Sequence, residues 1–82
     1  MDQFFFDLRS AHFTFADPEG QVHISLDEAF SVAVSSAVLF ADVCRKRRET
    51  TEGAMVVVRT RLGVAFQLHV AEIARLSNDR RQ

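Results

Sequence analysis

The feature that most limits how this chain can fold is one long helix, predicted to run from Ser25 to about Arg48. It opens with a capping box, Ser25-Leu26-Asp27-Glu28. In this motif the Ser25 hydroxyl accepts from the backbone N–H of Glu28, and the Glu28 side chain reaches back to the N–H of Ser25. The acidic residues lie at the positive end of the helix dipole and the basic block Arg45–Arg48 lies at its negative end, so both ends indicate the same helix.

Apolar residues cover most of the circumference of this helix. One face repeats at intervals of three and four residues and consists of Leu26, Phe30, Ala33, Ala37, Phe40 and Cys44. Two further stripes flank it, Val32, Leu39 and Val43 on one side and Val34, Val38 and Ala41 on the other. Since a helix this apolar is normally buried on more than one side, we expect an interface with another chain at Val34, Val38, Leu39 and Val43.

The helix is not expected to cross a membrane. Its apolar run, residues 29–44, is interrupted by three serines and an aspartate. It is also shorter than the roughly 18–20 apolar residues that a span requires. We therefore predict no membrane partner.

Alternating apolar residues predict strands on both sides of the helix. The predicted strands are Phe4–Arg9 with Phe4, Phe6 and Leu8 facing the core, His12–Ala16, a brief Gln21–Ile24, Ala54–Arg61, and Val64–His69 with Val64, Phe66 and Leu68 facing the core. Asp17-Pro18-Glu19-Gly20 has the residues of a type I turn. A short helix over Ala71–Leu76 is predicted to end the fold. The fold class is therefore α+β, an antiparallel sheet of three to five strands with the long helix on one face, in the order β-β-(β)-α-β-β-α.

The chain of 82 residues is expected to form a single domain over residues 1–82, with residues 78–82 as a frayed tail. A core of this size rarely supplies more than about 3–5 kcal/mol without a disulfide, a metal or an oligomeric partner. The one cysteine, Cys44, lies on the apolar face of the helix, and its solitude is typical of a reducing compartment. We therefore predict a cytoplasmic protein that forms a homodimer.

Four segments of the chain resemble a known family. They are Phe4-Phe5-Phe6-Asp7-Leu8-Arg9, Asp17-Pro18-Glu19-Gly20, Asp27-Glu28-Ala29 with Ser36-Ala37, and Val56-Val57-Val58-Arg59 before a glycine turn. The chain is similar to a family of short bacterial proteins classed as a domain of unknown function, whose members begin with an aromatic pair, an Asp or His, an aliphatic residue and an Arg. It departs from that pattern between Arg61 and Gly63, where Leu62 replaces the usual acidic turn residues. The resemblance implies a fold and no activity.

Residues that could carry catalysis are few. His12, His23 and His69 have no partner at a metal-ligand spacing, and no phosphate-binding glycine loop or nucleophile motif is present. His12 and His23 flank the Asp-Pro turn and could meet as a surface pair, while Asp7 and His69 could meet as an acid and base on the outer sheet face. That open face offers no evident water-excluding pocket. We therefore expect no catalytic residue, no metal, no cofactor and no enzymatic activity.

The distribution of basic residues indicates an alternative function, the binding of nucleic acid. Residues 1–44 contain seven acidic residues and one basic residue, whereas residues 45–82 contain nine basic and four acidic residues. A candidate anion-binding set consists of Arg45, Lys46, Arg47, Arg48, Arg59 and Arg61. Helix capping also explains the block, and Glu49 and Glu52 follow it directly. The leading prediction is a non-enzymatic, self-associating protein–protein interaction module, and the alternative is a nucleic-acid-binding protein.

Overall fold

The computed structural model describes residues 2–79 and has the predicted α+β architecture. Its elements are β1 (Asp2–Arg9), β2 (Thr14–Phe15), β3 (Gln21–His23), α1 (Leu26–Lys46), β4 (Met55–Thr60), β5 (Gly63–His69) and α2 (Val70–Asp79). The predicted order of elements is confirmed, with all five strands present. Asn78 and Asp79, expected in a frayed tail, belong to α2, and the rest of that tail, residues 80–82, lies outside the described residues.

The five strands form an open antiparallel sheet, four of them in the order β2-β1-β4-β5 and the fifth, β3, paired with β1. β1 is central, because β4 pairs along residues 5–9 while β3 pairs with residues 2–4 and β2 with residues 8 and 9. In the β1 and β4 ladder Asp7 lies opposite Val57, and Phe5 lies opposite Arg59. This register brings the middle of β1 and the end of β4 together on the face of the sheet that lies away from the helices.

Small side chains bring α1 close to the other face of the sheet. Ala29, Ala33 and Ala37 are completely buried, and Phe40 and Cys44 continue the same stripe. Leu26 and Phe30 were predicted to belong to this stripe, but both are exposed. The other four predicted members, Ala33, Ala37, Phe40 and Cys44, are buried as predicted, and in the first turns Ala29 is the buried residue instead.

The sheet side of the core consists mainly of β-branched residues. Val56 and Val58 are fully buried against the helices, each contributing about 1.5–3 kcal/mol of hydrophobic free energy. Phe4 is buried beside them, as predicted. The other members of the cluster on the strands and on α2 are Phe6, Leu8, Phe66, Leu68, Val70 and Ile73.

A β-bulge in β5 turns one side chain that was predicted to face the core, Val64, to the other face of the sheet. Val58 pairs with Phe66, but Arg59 pairs with Val64, so Ala65 is an extra residue in β5. An extra residue shifts the alternation of side chains beyond it. Val64 is consequently 60% exposed and shares the face of Arg59, although the period-two pattern predicted it in the core.

The serine half of the predicted capping box and the basic residues at the end of α1 are both present. The Ser25 hydroxyl accepts from the Glu28 N–H at 3.1 Å, and Arg45 and Lys46 lie in the last turn. Asp42 forms ion pairs with both of these basic residues. Within residues 2–79, no helix has the length and apolar character needed to cross a membrane.

Candidate functional site

A buried carboxylate on the outer face of the sheet is the first candidate site. Asp7 is only 3% exposed, and both of its carboxylate oxygens accept hydrogen bonds from Arg59. Arg59 Nε donates to Oδ2, and Arg59 Nη2 donates to Oδ1 at 3.1 Å. The Arg59 guanidinium also lies over the Phe5 ring, 5.0 Å from the ring centroid. A bidentate ion pair stacked on an aromatic ring holds all three side chains in one arrangement.

Asp17 extends this site into the loop between β2 and β3. Its backbone N–H donates to Asp7 Oδ1 at 2.9 Å, while its own Oδ2 accepts from the Phe6 N–H at 3.1 Å. Its Oδ1 accepts from the N–H groups of Gly20 and Glu19 at 3.0 and 3.2 Å. The loop is therefore fastened to the middle of β1 by two carboxylates.

Hydrogen bonding favours the charged form of both carboxylates. The Arg59 side chain, supported by the Asp17 N–H, lowers the pKa of Asp7 against the opposing effect of burial. Burial raises the pKa of Asp17, but the N–H donors of Gly20, Phe6 and Glu19 outweigh it and the net shift is downward. A general base at neutral pH requires a raised pKa, and the pKa of each of these two carboxylates is shifted in the opposite direction.

The structure does not bring Asp7 and His69 together. His69 lies opposite Met55 on β5, while Asp7 lies opposite Val57 on β1, with β4 between the two strands. They are thus two strands apart, about 10 Å across the sheet. The predicted acid and base therefore do not form a pair.

The other two histidines occupy different environments. His12 is exposed in the turn after β1, where its backbone N–H donates to Ser10 Oγ. The His23 side chain is only 10% exposed, with its ring against those of Phe4 and Phe6 at 6.1 and 5.8 Å between centroids. Within the described residues no three His, Cys, Asp or Glu side chains could hold a metal ion.

His23 forms a pair with Glu28 that the sequence pattern does not predict. His23 Nδ1 lies 2.6 Å from Glu28 Oε1, and His23 Nε2 lies 3.1 Å from Gln21 Oε1. Glu28 was predicted to complete the capping box by accepting from the Ser25 N–H, but its side chain contacts His23 instead. The pair joins β3 to the first turn of α1, since both ring nitrogens are occupied by residues of those segments.

The six candidate anion-binding residues do not form one patch. Arg45–Arg48 lie at the C-terminal end of α1, whereas Arg59 lies near the end of β4 and Arg61 in the turn after it, about 13–20 Å along the strand from its first residue, Met55. Arg59 is occupied by Asp7, and Asp42 neutralises part of the charge of Arg45 and Lys46. The phosphate contacts available at any one place are therefore fewer than the sequence count suggested.

A groove of about 560 Å³ lies between the start of β1 and the β4–β5 turn. Its walls are formed by Asp2, Gln3, Val22, Thr60, Arg61 and Leu62. All of these residues except Thr60 are exposed, and Leu62 is 99% exposed. The groove is a feature of the open surface and encloses no reacting group.

The predicted interface residues divide between two sides of α1. Val34 and Val38 are half-buried, whereas Leu39 is 67% and Val43 49% exposed. The exposed pair lies beside the β2 edge, where the Phe13 ring packs against Phe40 at 6.1 Å between centroids. We call Leu39, Val43, Phe13 and Phe15 the apolar flank; the two phenylalanines are 39% and 70% exposed.

Comparison of this chain with protein-family models, with curated proteins and with solved structures finds no match.

Proposed function

We propose that this chain is a non-enzymatic protein–protein interaction module that self-associates. The observation that carries the proposal is the apolar flank: Leu39 and Val43 are exposed on α1, Phe13 and Phe15 are exposed at the β2 edge, and the Phe13 ring packs against Phe40 of the same helix. Contiguous apolar surface on a small protein is typical of a binding surface. Self-association would also add hydrophobic burial to a domain whose own core is small.

The alternative functions have less support. Nucleic-acid binding would depend on basic residues in two separate segments, the end of α1 and the end of β4 with its following turn, and three of them are paired with carboxylates. Catalysis would depend on groups that are separated or fully hydrogen-bonded to structural partners. The proposal includes a cytoplasmic location, supported by the free, buried Cys44.

Light scattering coupled to gel filtration, across the micromolar range, tests this proposal. We expect the wild-type chain to move from one to two monomer masses as its concentration rises. Leu39→Ser should raise the dissociation constant about tenfold, because it removes a large apolar contact from the interface. Leu62→Ser is the matched control, since Leu62 is an exposed leucine outside the flank.

The two variants separate the possible outcomes. A wild-type chain that remains monomeric at every concentration would refute self-association. Equal weakening by Leu39→Ser and Leu62→Ser would show that the apolar flank is not the surface involved.

A further inference from the structure

The β2 and β5 edges of the sheet differ in how open they are to another strand. On the β5 edge the bulge at Ala65 interrupts the strand, and a bulge on an edge strand hinders pairing with a further strand. On the β2 edge residues 11–16 are all exposed, and within residues 2–79 β2 pairs with β1 alone. The segment Phe13–Ala16 contains no charged residue and no proline. The β2 edge is therefore the more open of the two.

The alternation of hydrogen bonds along β1 shows which backbone groups of β2 face outward. The Phe6 N–H points to the side of β1 on which β2 and β3 lie. Because these directions alternate along a strand, Leu8 points the same way, and Leu8 and Phe15 exchange hydrogen bonds. Arg9 and Thr14 form the neighbouring pair, which exchanges none. The N–H and C=O of Thr14 therefore face away from β1, toward solvent.

The side chains on either side of Thr14 lie on the helix face of the sheet. Phe15 lies opposite Leu8, which packs against the core, and the Phe13 ring packs against Phe40. Both phenylalanines belong to the apolar flank. The unpaired backbone groups and the exposed apolar side chains therefore occur in the same short segment.

We propose that two copies of this chain pair through their β2 edges, antiparallel, about a two-fold axis that passes through the sheet at Thr14. Thr14 then exchanges both backbone hydrogen bonds with Thr14 of the second copy. Phe13 lies opposite Phe15 of the second copy, and Phe15 lies opposite its Phe13. The two sheets of five strands become one sheet of ten, with both α1 helices on the same face. The inference rests on the proposed function and specifies the partner and the geometry of the interface.

The register identifies a second copy as the partner. The sequence around Thr14 is symmetric, Phe-Thr-Phe, so a two-fold axis at this residue puts one phenylalanine against another on both sides. Directly opposed side chains have Cβ atoms about 4.5–5.5 Å apart, and aromatic pairs at this distance stabilise a sheet. The four rings lie on the face where Leu39 and Val43 are exposed. One pairing therefore satisfies the free backbone groups and covers the apolar flank.

The arrangement keeps the two copies clear of each other outside the interface. β1, β4 and β5 of each copy extend away from the axis, because β2 is at the end of the strand order. The loop that contains Asp17 is held back against β1 by its bonds to Asp7 and to the Phe6 N–H. The segment around Thr14 is therefore accessible to a second strand.

Thr14→Pro tests the backbone pairing. Proline removes the outward N–H of Thr14 and breaks no ladder bond to β1, and edge strands tolerate proline at such positions. We expect it to raise the dissociation constant at least about tenfold, measured by light scattering coupled to gel filtration. Thr14→Val keeps the N–H and the strand preference, so it is the matched control and should associate like the wild type. Circular dichroism should show both variants folded.

Oxidative crosslinking gives a second measurement that decides the question even if proline disturbs β2. In the proposed pairing the Cα atoms of the two copies of residue 14 are about 5.5 Å apart, within the range for a disulfide. Thr14→Cys should therefore form a disulfide-linked dimer under mild oxidation. Val64→Cys is the matched control, because Val64 is also exposed on the outer face but lies at the β5 edge, and it should remain uncrosslinked. The wild-type chain is the control for Cys44, which is buried.

The outcomes distinguish this inference from the proposed function. A monomeric wild type removes both. A wild-type dimer in which Thr14→Pro is folded and associates as tightly as Thr14→Val, or in which Thr14→Cys crosslinks no faster than Val64→Cys, overturns the pairing of β2 edges and leaves self-association in place.

Discussion

Replacing Asp7 with alanine should cost this protein a large part of its stability. The substitution removes the acceptor for Arg59 Nε and Nη2 and for the Asp17 N–H. It leaves a guanidinium over Phe5 without its carboxylate, and it removes one of the two hydrogen bonds that fasten the Asp17 loop to β1. The loss therefore extends beyond one ion pair.

The magnitude follows from the burial of Asp7. Breaking a fully buried ion pair costs about 3–5 kcal/mol, whereas an exposed pair is worth about 0–1 kcal/mol. The Asp7 side chain is 5% exposed but that of Arg59 is 35% exposed, so water can reach part of the guanidinium. We expect a loss of about 2–3 kcal/mol for Asp7→Ala, which corresponds to about 10–20 °C in melting temperature for a domain of this size.

The pH dependence provides an independent test of the same carboxylate. Because the folded-state pKa of Asp7 lies below its unfolded value, its charge stabilises the fold above about pH 4. That stabilisation is lost as the pH falls through the lowered folded-state pKa. Thermal unfolding followed by circular dichroism, from neutral pH down to about pH 3, should therefore show a smaller acid-induced loss in Asp7→Ala than in the wild type.

Asp42→Asn is the control for this experiment. Asp42 also has a lowered pKa, caused by Lys46 and Arg45, but its ion pairs lie on the helix surface. Its melting temperature should stay close to that of the wild type. If Asp7→Ala melts within about 3 °C of the wild type, the anchoring role argued for Asp7 is wrong.

Two further predictions concern single positions. Gly20 and Gly53 both have positive φ, 73° and 78°, but a methyl group at Gly20 would meet the Phe4 carbonyl oxygen and the Phe5 ring at 2.9 Å, while Gly53 has open space. Alanine should cost about 1–2 kcal/mol at Gly53 and at least about 1 kcal/mol more at Gly20 in urea denaturation, and equal costs would contradict the close approach. Burial and then Glu49 raise the pKa of the Cys44 thiol. A thiol-specific reagent at neutral pH should therefore modify it about a hundredfold more slowly in the folded than in the urea-unfolded chain, and similar rates would exclude a buried thiol.

Most of the fold was predictable because its signals are local. The Ser25 cap, the 3.6-residue period of α1 and the Asp-Pro turn each depend on neighbouring residues, and the predicted order of elements is confirmed. The facing of Val64 was not predictable, because a bulge is a property of the pairing with β4 and leaves no mark on β5 alone. One extra residue moved a predicted core side chain to the opposite face.

The candidate sites were harder to predict because they depend on register. Asp7 and Arg59 are 52 residues apart and meet only because β1 and β4 align Phe5 with Arg59. Strand alternation correctly put Asp7 on the outer face, but that face was taken to be exposed. The Glu28 side chain could bond either to the Ser25 N–H or to His23, and the position of β3 brings His23 within hydrogen-bond distance.

The Asp17 loop protects one edge of β1 from pairing with a strand of another molecule. Between the end of β2 and the start of β3, the Phe6 N–H of β1 would otherwise be free to bond to a strand of another molecule, and unpaired strand edges of this kind nucleate aggregation. A charged side chain occupies that N–H, and the turn behind it fills the space that an incoming strand would need. Removal of the Asp17 carboxylate should therefore cause aggregation in concentrated solution under conditions in which the single molecule is still folded.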